Sequence, residues 1–218
     1  MTPKRILDLG LGTLGLVAAA PVLAVSAAAM RATGDRGPFL HRAVRVGEGG
    51  RPITVLKIRT MTAGGGGPRL TGVDDPRVTR VGRVLRRFRL DELPQLLNVV
   101  RGEMSLVGPR PEDPAYVDLD DPLHRRVFSA QPGITGLAQL AYHDEARLMA
   151  GPDPERVYRE QVLPAKLRLD AEYLDRQSVR LDLAILARTV LAVAGRGGAE
   201  TGVTEPAAVT PEDAVTDR

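Results

Sequence analysis

Hydrophobic and polar positions divide the chain into segments of distinct period. Residues 9–30, LGLGTLGLVAAAPVLAVSAAAM, form a run of 22 residues without a charge. About 20 apolar residues suffice for a helix to cross a bilayer. Next comes a breaker-rich linker, ATGDRGP, residues 32–38. FLHRAVRV and PITVLKIRTM then flank the turn signal GEGG at 47–50, and two β-branched runs about a glycine-rich turn predict a β-hairpin. Farther on, Val78, Val81, Leu85 and Phe88 fall on one helical stripe, with Thr79 or Asp75 placed to cap its start. Leu93, Leu96, Leu97 and Val100 predict a second short helix that stops at Gly102. QPGITG at 131–136 reads as a turn, and residues 153–194 read as largely helical. The strongly apolar part of that region, 181–194, is too short to span a membrane, which leaves core or interface. From residue 195 onward little apolar surface is left to bury, which predicts disorder.

The N-terminal run admits three readings. A cleaved signal peptide fits the basic start and the small residues VSA at 25–27, although 22 residues is long for such a segment. A straight transmembrane helix fits the length. A bent, re-entrant helix fits Pro21, which removes a backbone donor near the middle. Basic residues flank both ends, Lys4 and Arg5 before, Arg31, Arg36, Arg42 and Arg45 after. The positive-inside rule therefore favours both ends on the cytoplasmic face.

Charge changes the picture more than composition does. Residues 31–111 hold 16 Lys/Arg against 7 Asp/Glu, whereas the tail from Glu200 is acidic. A basic body implies an anionic partner, whether phosphate, nucleic acid or anionic lipid. Aromatic content is only 3%, so stacking platforms for nucleic acid are scarce and no nucleic-acid partner is expected. There are no cysteines, which excludes disulfides, zinc-thiolate sites and thiol catalysis. GGGG at 64–67 lacks the Gly-Lys-Ser/Thr ending of a phosphate loop and reads as a flexible connection. The arginines of RVTRVGRVLRRFR, 77–89, suit a solvated face on a core helix, a helix among lipid phosphates, or a nucleic-acid contact. His41, His124 and His143 do not cluster in sequence and read as ordinary residues.

Candidate chemistry centres on Asp91-Glu92 in LDELPQL. Two acids at a helix start satisfy free N–H groups and the helix dipole, worth about 0.3–1 kcal/mol, and need no further role. They also suit phosphoryl transfer, which requires cations for the phosphates, a metal on one or two carboxylates, and an in-line nucleophile. Arg86 precedes the pair by five residues. Arg110 follows, bracketed by Pro109 and Pro111, which hold the backbone extended and aim a guanidinium able to grip phosphate.

These residues carry a family resemblance. KR at 4–5 with Asp8, GPFLHRAVRVG at 37–47, KIRTM at 57–61, DDPRVTRVGRVLRR at 74–87, LDELPQLLNVVRGEMSLVGPRPE at 90–112 and QPGITGLAQL at 131–140 resemble the bacterial sugar transferases, small monotopic polyprenyl-phosphate phosphoglycosyl transferases. A weaker match runs through 169–186. The resemblance implies that a UDP-sugar binds with Mg2+, that Asp91 attacks the sugar-linked phosphorus and releases UMP, and that a polyprenyl phosphate then takes the phosphosugar from Asp91. It assigns Glu92 to the metal with Asp91, or to proton transfer. Lys57, Arg59, Arg86, Arg110, Glu112 and Asp170 become substrate-binding candidates.

The fold so implied is α+β, mostly helical, in three parts. Residues 1–31 form a re-entrant membrane helix kinked at Pro21. Residues 32–196 form the catalytic domain, with a small β-hairpin and amphipathic interfacial helices around the active site. Residues 197–218 form a disordered acidic tail. No large extra bundle or nucleotide domain is expected, so the chain reads as the minimal form of the family, on the cytoplasmic face of the inner membrane with lipid as partner. The apolar faces leave room for a homodimer. Two positions depart from the family pattern: Ala20-Pro21 stands in place of Ser-Pro, and Ala138 where Trp is common. The competing reading is a membrane-tethered basic module that binds anionic lipid or nucleic acid without catalysis.

Overall fold

The computed structural model describes residues 1–62, 64, 67, 69–72, 75–143, 145–148 and 152–195. The expected acidic tail, half of the GGGG run and residue 74 lie outside these residues. Helix α1 runs from Pro3 to Ala32 with Thr2 as its N-cap. An antiparallel hairpin follows, β1 (Leu40–Val46) and β2 (Pro52–Ile58), joined by a 3-10 turn at Glu48–Gly50 as the alternation predicts. Then come α2 (Arg80–Arg87), a 3-10 turn at Leu90–Glu92, α3 (Gln95–Arg101), β3 (Ser105–Val107), a 3-10 turn at Pro114–Tyr116 and α4 (Pro122–Phe128). The remainder is β4 (Gly133–Thr135), α5 (Leu137–Ala141), α6 (Glu145–Leu148), α7 (Pro154–Val157), α8 (Leu163–Arg176) and α9 (Val179–Gly195). A π-helical turn, Tyr158–Val162, joins α7 to α8. Pro164 opens the next turn without an N–H to donate, which favours a widened helix there.

Helical conformation continues through Pro21, which is exposed. The buried residues Asp8, Gly12, Ala19, Ser26 and Met30 recur on one face on both sides of it. The outer face carries Ile6, Leu14, Val17 and Val25. Among the described residues this is the one helix long and apolar enough to cross a membrane.

The N-terminal charges differ from expectation. Lys4 and Arg5 do not simply flank the helix as free cations. Lys4 Nζ donates to the Val107 carbonyl (2.8 Å) and pairs with Asp182 (2.8 Å). Arg5 donates to the carbonyls of Val99 and Val100, which end α3. Asp8 is 2% exposed, accepting from Ser105 Oγ (3.0 Å) and the Leu106 amide (2.9 Å). A buried carboxylate is stable only with such donors.

Three other expectations are corrected. The apolar stripe begins too early, because Val78 bridges to Met61 and helix α2 starts only after its N-cap Thr79. Val81 and Leu85 pack with Met30 and Ile58, so this stripe faces protein rather than lipid. QPGITG is not merely a turn. Its centre is strand β4, parallel to β3, with Ser105 opposite Gly133 and Val107 opposite Thr135. A Cβ on Gly133 would lie 2.1 Å from the Gly108 nitrogen, so glycine here permits backbone contact instead of bending the chain. The departure at Ala138 falls in the interior, since this residue is wholly buried.

Candidate active site

The hairpin builds one wall by its period of two. His41 faces Lys57 and Ala43 faces Val55 across the strands, and these four side chains line a cleft of about 750 Å3. Asn98 of α3 fixes the hairpin edge, accepting from the Leu56 amide and donating to the Thr54 carbonyl. Helix α2 reaches the cleft because Gly82 lies against the chain end beyond β2. A Cβ there would stand 2.1 Å from the Thr60 carbonyl oxygen. The close approach brings Arg86 over Thr60, where its Nε donates to the hydroxyl at 2.8 Å.

Asp91 and Glu92 sit in the 3-10 turn between α2 and α3. Arg89, just before it, is the one non-glycine residue with positive φ (52°) among the described residues. This left-handed residue, which costs roughly 1–2 kcal/mol, turns the chain so that both acids enter the cleft. Glu92 pairs with Lys57 at 3.1 Å and lies 3.7 Å from Arg89. Burial would raise its pKa, but Lys57, Arg110 and Arg89 hold it down, to about 2. Asp91 is 9% exposed, and among the described residues no other residue hydrogen-bonds its carboxylate, which meets only its own backbone amide. Burial and the Glu92 charge push its pKa up, against Lys57 and Arg86. The two neighbours therefore differ. Glu92 is a fixed, paired anion, whereas Asp91 is a carboxylate with free lone pairs.

Arg110 follows β3. Its backbone amide donates to Asp170 Oδ2 at 3.3 Å. Its guanidinium lines the cleft without a hydrogen bond or ion pair among the described residues. Burial alone would weaken its charge, yet Glu92, Glu145 and Glu112 raise its pKa overall. Behind it, Lys166 pairs with Glu112 (3.1 Å) and Glu145 (2.9 Å) and bonds the Tyr158 hydroxyl (3.2 Å). The acids beneath Arg110 are thus neutralised from below, leaving its outer face for an anion.

The structure brings Lys57, Arg86, Asp91, Glu92, Arg110 and Glu112 to one cleft. Arg59 borders it too, but its guanidinium is occupied by Asp35 (2.6 Å), the Pro38 carbonyl and the Met61 carbonyl. It holds the loop behind the hairpin rather than offering a free hand. Asp170 lies below the floor, 3% exposed, and touches the site through the Arg110 amide. Burial raises its pKa to about 7. Lys166, Tyr158 and Tyr116 escaped sequence reasoning, which had no local motif to place them. The signal for Lys166 was its place with Asp170, one turn on, among the apolar residues Leu163, Leu167 and Ala171 of one helical face. His41 and His143 also line the cleft, on separate walls.

No group of three acids or histidines able to hold a metal occurs among the described residues. Mg2+ needs only one or two carboxylates when phosphate oxygens and water complete its shell. The partnerless Asp91 carboxylate beside Glu92 fits that requirement.

A sequence profile of the bacterial sugar transferases matches residues 1–196. The chain belongs to this family. Among its relatives, a UDP-glucose:undecaprenyl-phosphate glucose-1-phosphate transferase of Caulobacter vibrioides is 41% identical over 86% of this chain and 68% of its own length. An undecaprenyl-phosphate glucose phosphotransferase of Komagataeibacter xylinus is 40% identical over 87% of this chain. Only 35% of that longer relative is covered. The exopolysaccharide production protein ExoY of Sinorhizobium fredii is 33% identical over 87% of this chain and 84% of its own length.

Proposed function

We propose that this family member transfers a sugar 1-phosphate from a UDP-sugar to a polyprenyl phosphate such as undecaprenyl phosphate, at the cytoplasmic face of the membrane. The observation that carries the reading is the partnerless Asp91 carboxylate, set among Lys57, Arg86 and Arg110 in a cleft of nucleotide-sugar size.

In the first half-reaction an Asp91 oxygen attacks the sugar-bearing phosphorus. A P–O bond forms to Asp91, the bond to the bridging oxygen breaks, and UMP leaves with that electron pair. In the second, a phosphate oxygen of the polyprenyl acceptor attacks the same phosphorus and Asp91 leaves as carboxylate. Neither step needs a proton donor, since each leaving group departs as a stabilised anion. Arg110 and Arg86 hold the phosphates and balance the charge that gathers on them. Lys57 keeps Glu92 ionised and oriented. Asp91 and Glu92 would hold Mg2+, which when bound supplies charge neutralisation on the diphosphate.

Both ends of α1 grip the same body, through Lys4, Arg5 and Asp8 at one end and Met30 at the other. That geometry supports a helix that enters and leaves by one leaflet, and the basic residues flanking α1 favour the cytoplasmic side for the cleft.

The test is UMP release by purified protein in lipid discs with undecaprenyl phosphate, Mg2+ and a panel of UDP-sugars. Release from one or two donors is expected, with a fall of about a thousandfold or more in Asp91→Asn and loss with EDTA. Equal release by wild type and Asp91→Asn would sink the covalent route. Membrane and lipid binding without release from any donor would favour a binding module instead.

A further inference from the structure

The far wall of the cleft carries a polar group that nothing among the described residues satisfies. Tyr116 is 5% exposed, and its phenol oxygen is buried without a hydrogen-bond partner. Such orphans are few in folded proteins, and each calls for an explanation. The ring itself is held firmly. Asp113 caps the turn that carries it, accepting from the Ala115 amide. Tyr158 packs against it with centroids 4.9 Å apart, and the Arg159 guanidinium stacks over it at 4.7 Å. Val46, Val127 and Phe128 complete the packing, and Leu70 lies against the same cluster.

Tyr116 lines the same cleft as Asp91 and Arg110. Arg110 begins the segment of which Tyr116 is the end, so one stretch of chain bears both the free guanidinium and the unsatisfied hydroxyl. The nearby charges are already matched, since Asp113 pairs with Arg45 and Arg69. Glu155 and Arg159, which also face the ring, pair with each other at 3.1 Å, and this matching of charge favours a neutral hydrogen-bonding group as the missing partner.

We infer that Tyr116 is a specificity-determining residue, whose hydroxyl bonds a neutral hydroxyl, amide or carbonyl group of the bound nucleotide-sugar donor. The inference rests on the transferase reading above. The bonding group belongs either to the sugar or to the nucleoside, and the two are separable by experiment. A site built to bond a polar group rejects a ligand that lacks it far more strongly than an apolar pocket rejects an added hydroxyl.

The decisive variant is Tyr116→Phe, compared with wild type in three measurements: unliganded thermal stability, affinity for UMP and UDP, and UMP release from UDP-sugars epimeric or deoxygenated at single ring positions. The unliganded variant should unfold at the same temperature as wild type or slightly higher, because it loses a desolvated hydroxyl with no partner. KM for the preferred donor should rise about tenfold with kcat changed less. If the partner is on the sugar, UMP and UDP affinities stay unchanged and discrimination between one pair of epimers collapses. If it is on the nucleoside, UMP, UDP and every donor weaken together. A clear drop in unliganded stability would reveal a structural partner and overturn the inference, as would donor kinetics matching wild type. A wild type that neither binds nor turns over any nucleotide would instead remove the transferase reading beneath it.

Discussion

Single charges decide what the cleft can do, and they do so through pH. A nucleophilic Asp91 must be ionised, and its pKa is raised by burial and by Glu92. Activity should therefore fall on the acid side at a higher pH than an ordinary aspartate would set. Lys57 opposes that rise. Replacing Lys57 with Met should make Asp91 harder to ionise and move the acid limb of the kcat/KM profile to higher pH, and an unmoved limb would refute the coupling. Asp170 gives a second test. Its folded pKa, about 7, lies above the usual 3.8, so the folded state holds its proton more tightly than the unfolded state. This contribution is favourable below pH 3.8 and is lost as pH rises toward 7 and beyond. Asp170→Asn, which can still accept from the Arg110 amide, should be at least as stable as wild type at pH 8 and should flatten stability between pH 4 and 7. Asp170→Ala should lose activity at every pH by leaving that amide without its acceptor. Thermal unfolding across pH and UMP release separate the two variants.

Elements are held in place by a few close contacts, and these are where sequence and structure part company. Gly82→Ala should force α2 away from Thr60, cost about 1–3 kcal/mol, and weaken donor binding because Arg86 rides on that helix. A variant with wild-type melting temperature and KM would show that α2 has slack. Asp8→Leu strands the Leu106 amide and the Ser105 hydroxyl, at about 1–3 kcal/mol each, in the strand that leads to Arg110. Lower stability with intact membrane association is the expected result, read by unfolding in discs and by co-sedimentation with vesicles. The hairpin was legible because its alternation is local, and so was α3, which stops at Gly102. The Asp91-Glu92 pair and Pro109-Arg110-Pro111 were legible as compact motifs. Parallel pairing of β3 with β4 was hidden, because glycine in QPGITG marks close backbone contact as readily as a turn. The pairing of Arg59 was hidden for a related reason. Its residue type suits phosphate, but only the fold shows Asp35 in its grasp. Lys166 and Tyr158 reach the site from more than forty residues beyond Arg110, across distances that no local pattern encodes.

At the scale of the whole molecule, α1 is as much a part of the catalytic body as a membrane element. About 45 Å long at 1.5 Å per residue, it is gripped near both ends by elements that border the cleft. A straight span would carry its N-terminus across the bilayer, away from Val107 and Asp182, and leave the Asp182 carboxylate, 1% exposed, without Lys4. An unpaired buried charge of that kind typically costs about 3–5 kcal/mol. The proposed placement of both ends on one side rests on that energy rather than on hydropathy. The chain has no cysteine, so single thiols report cleanly. Thr2→Cys and Arg36→Cys, at opposite ends of α1, should both resist a membrane-impermeant maleimide in intact cells and both react once the membrane is opened. If the Thr2 site reacts from outside while the Arg36 site stays protected, the helix spans. The Lys4–Asp182 clamp could not then exist in the membrane, and the argument that joins α1 to the strand before Arg110 would fall with it.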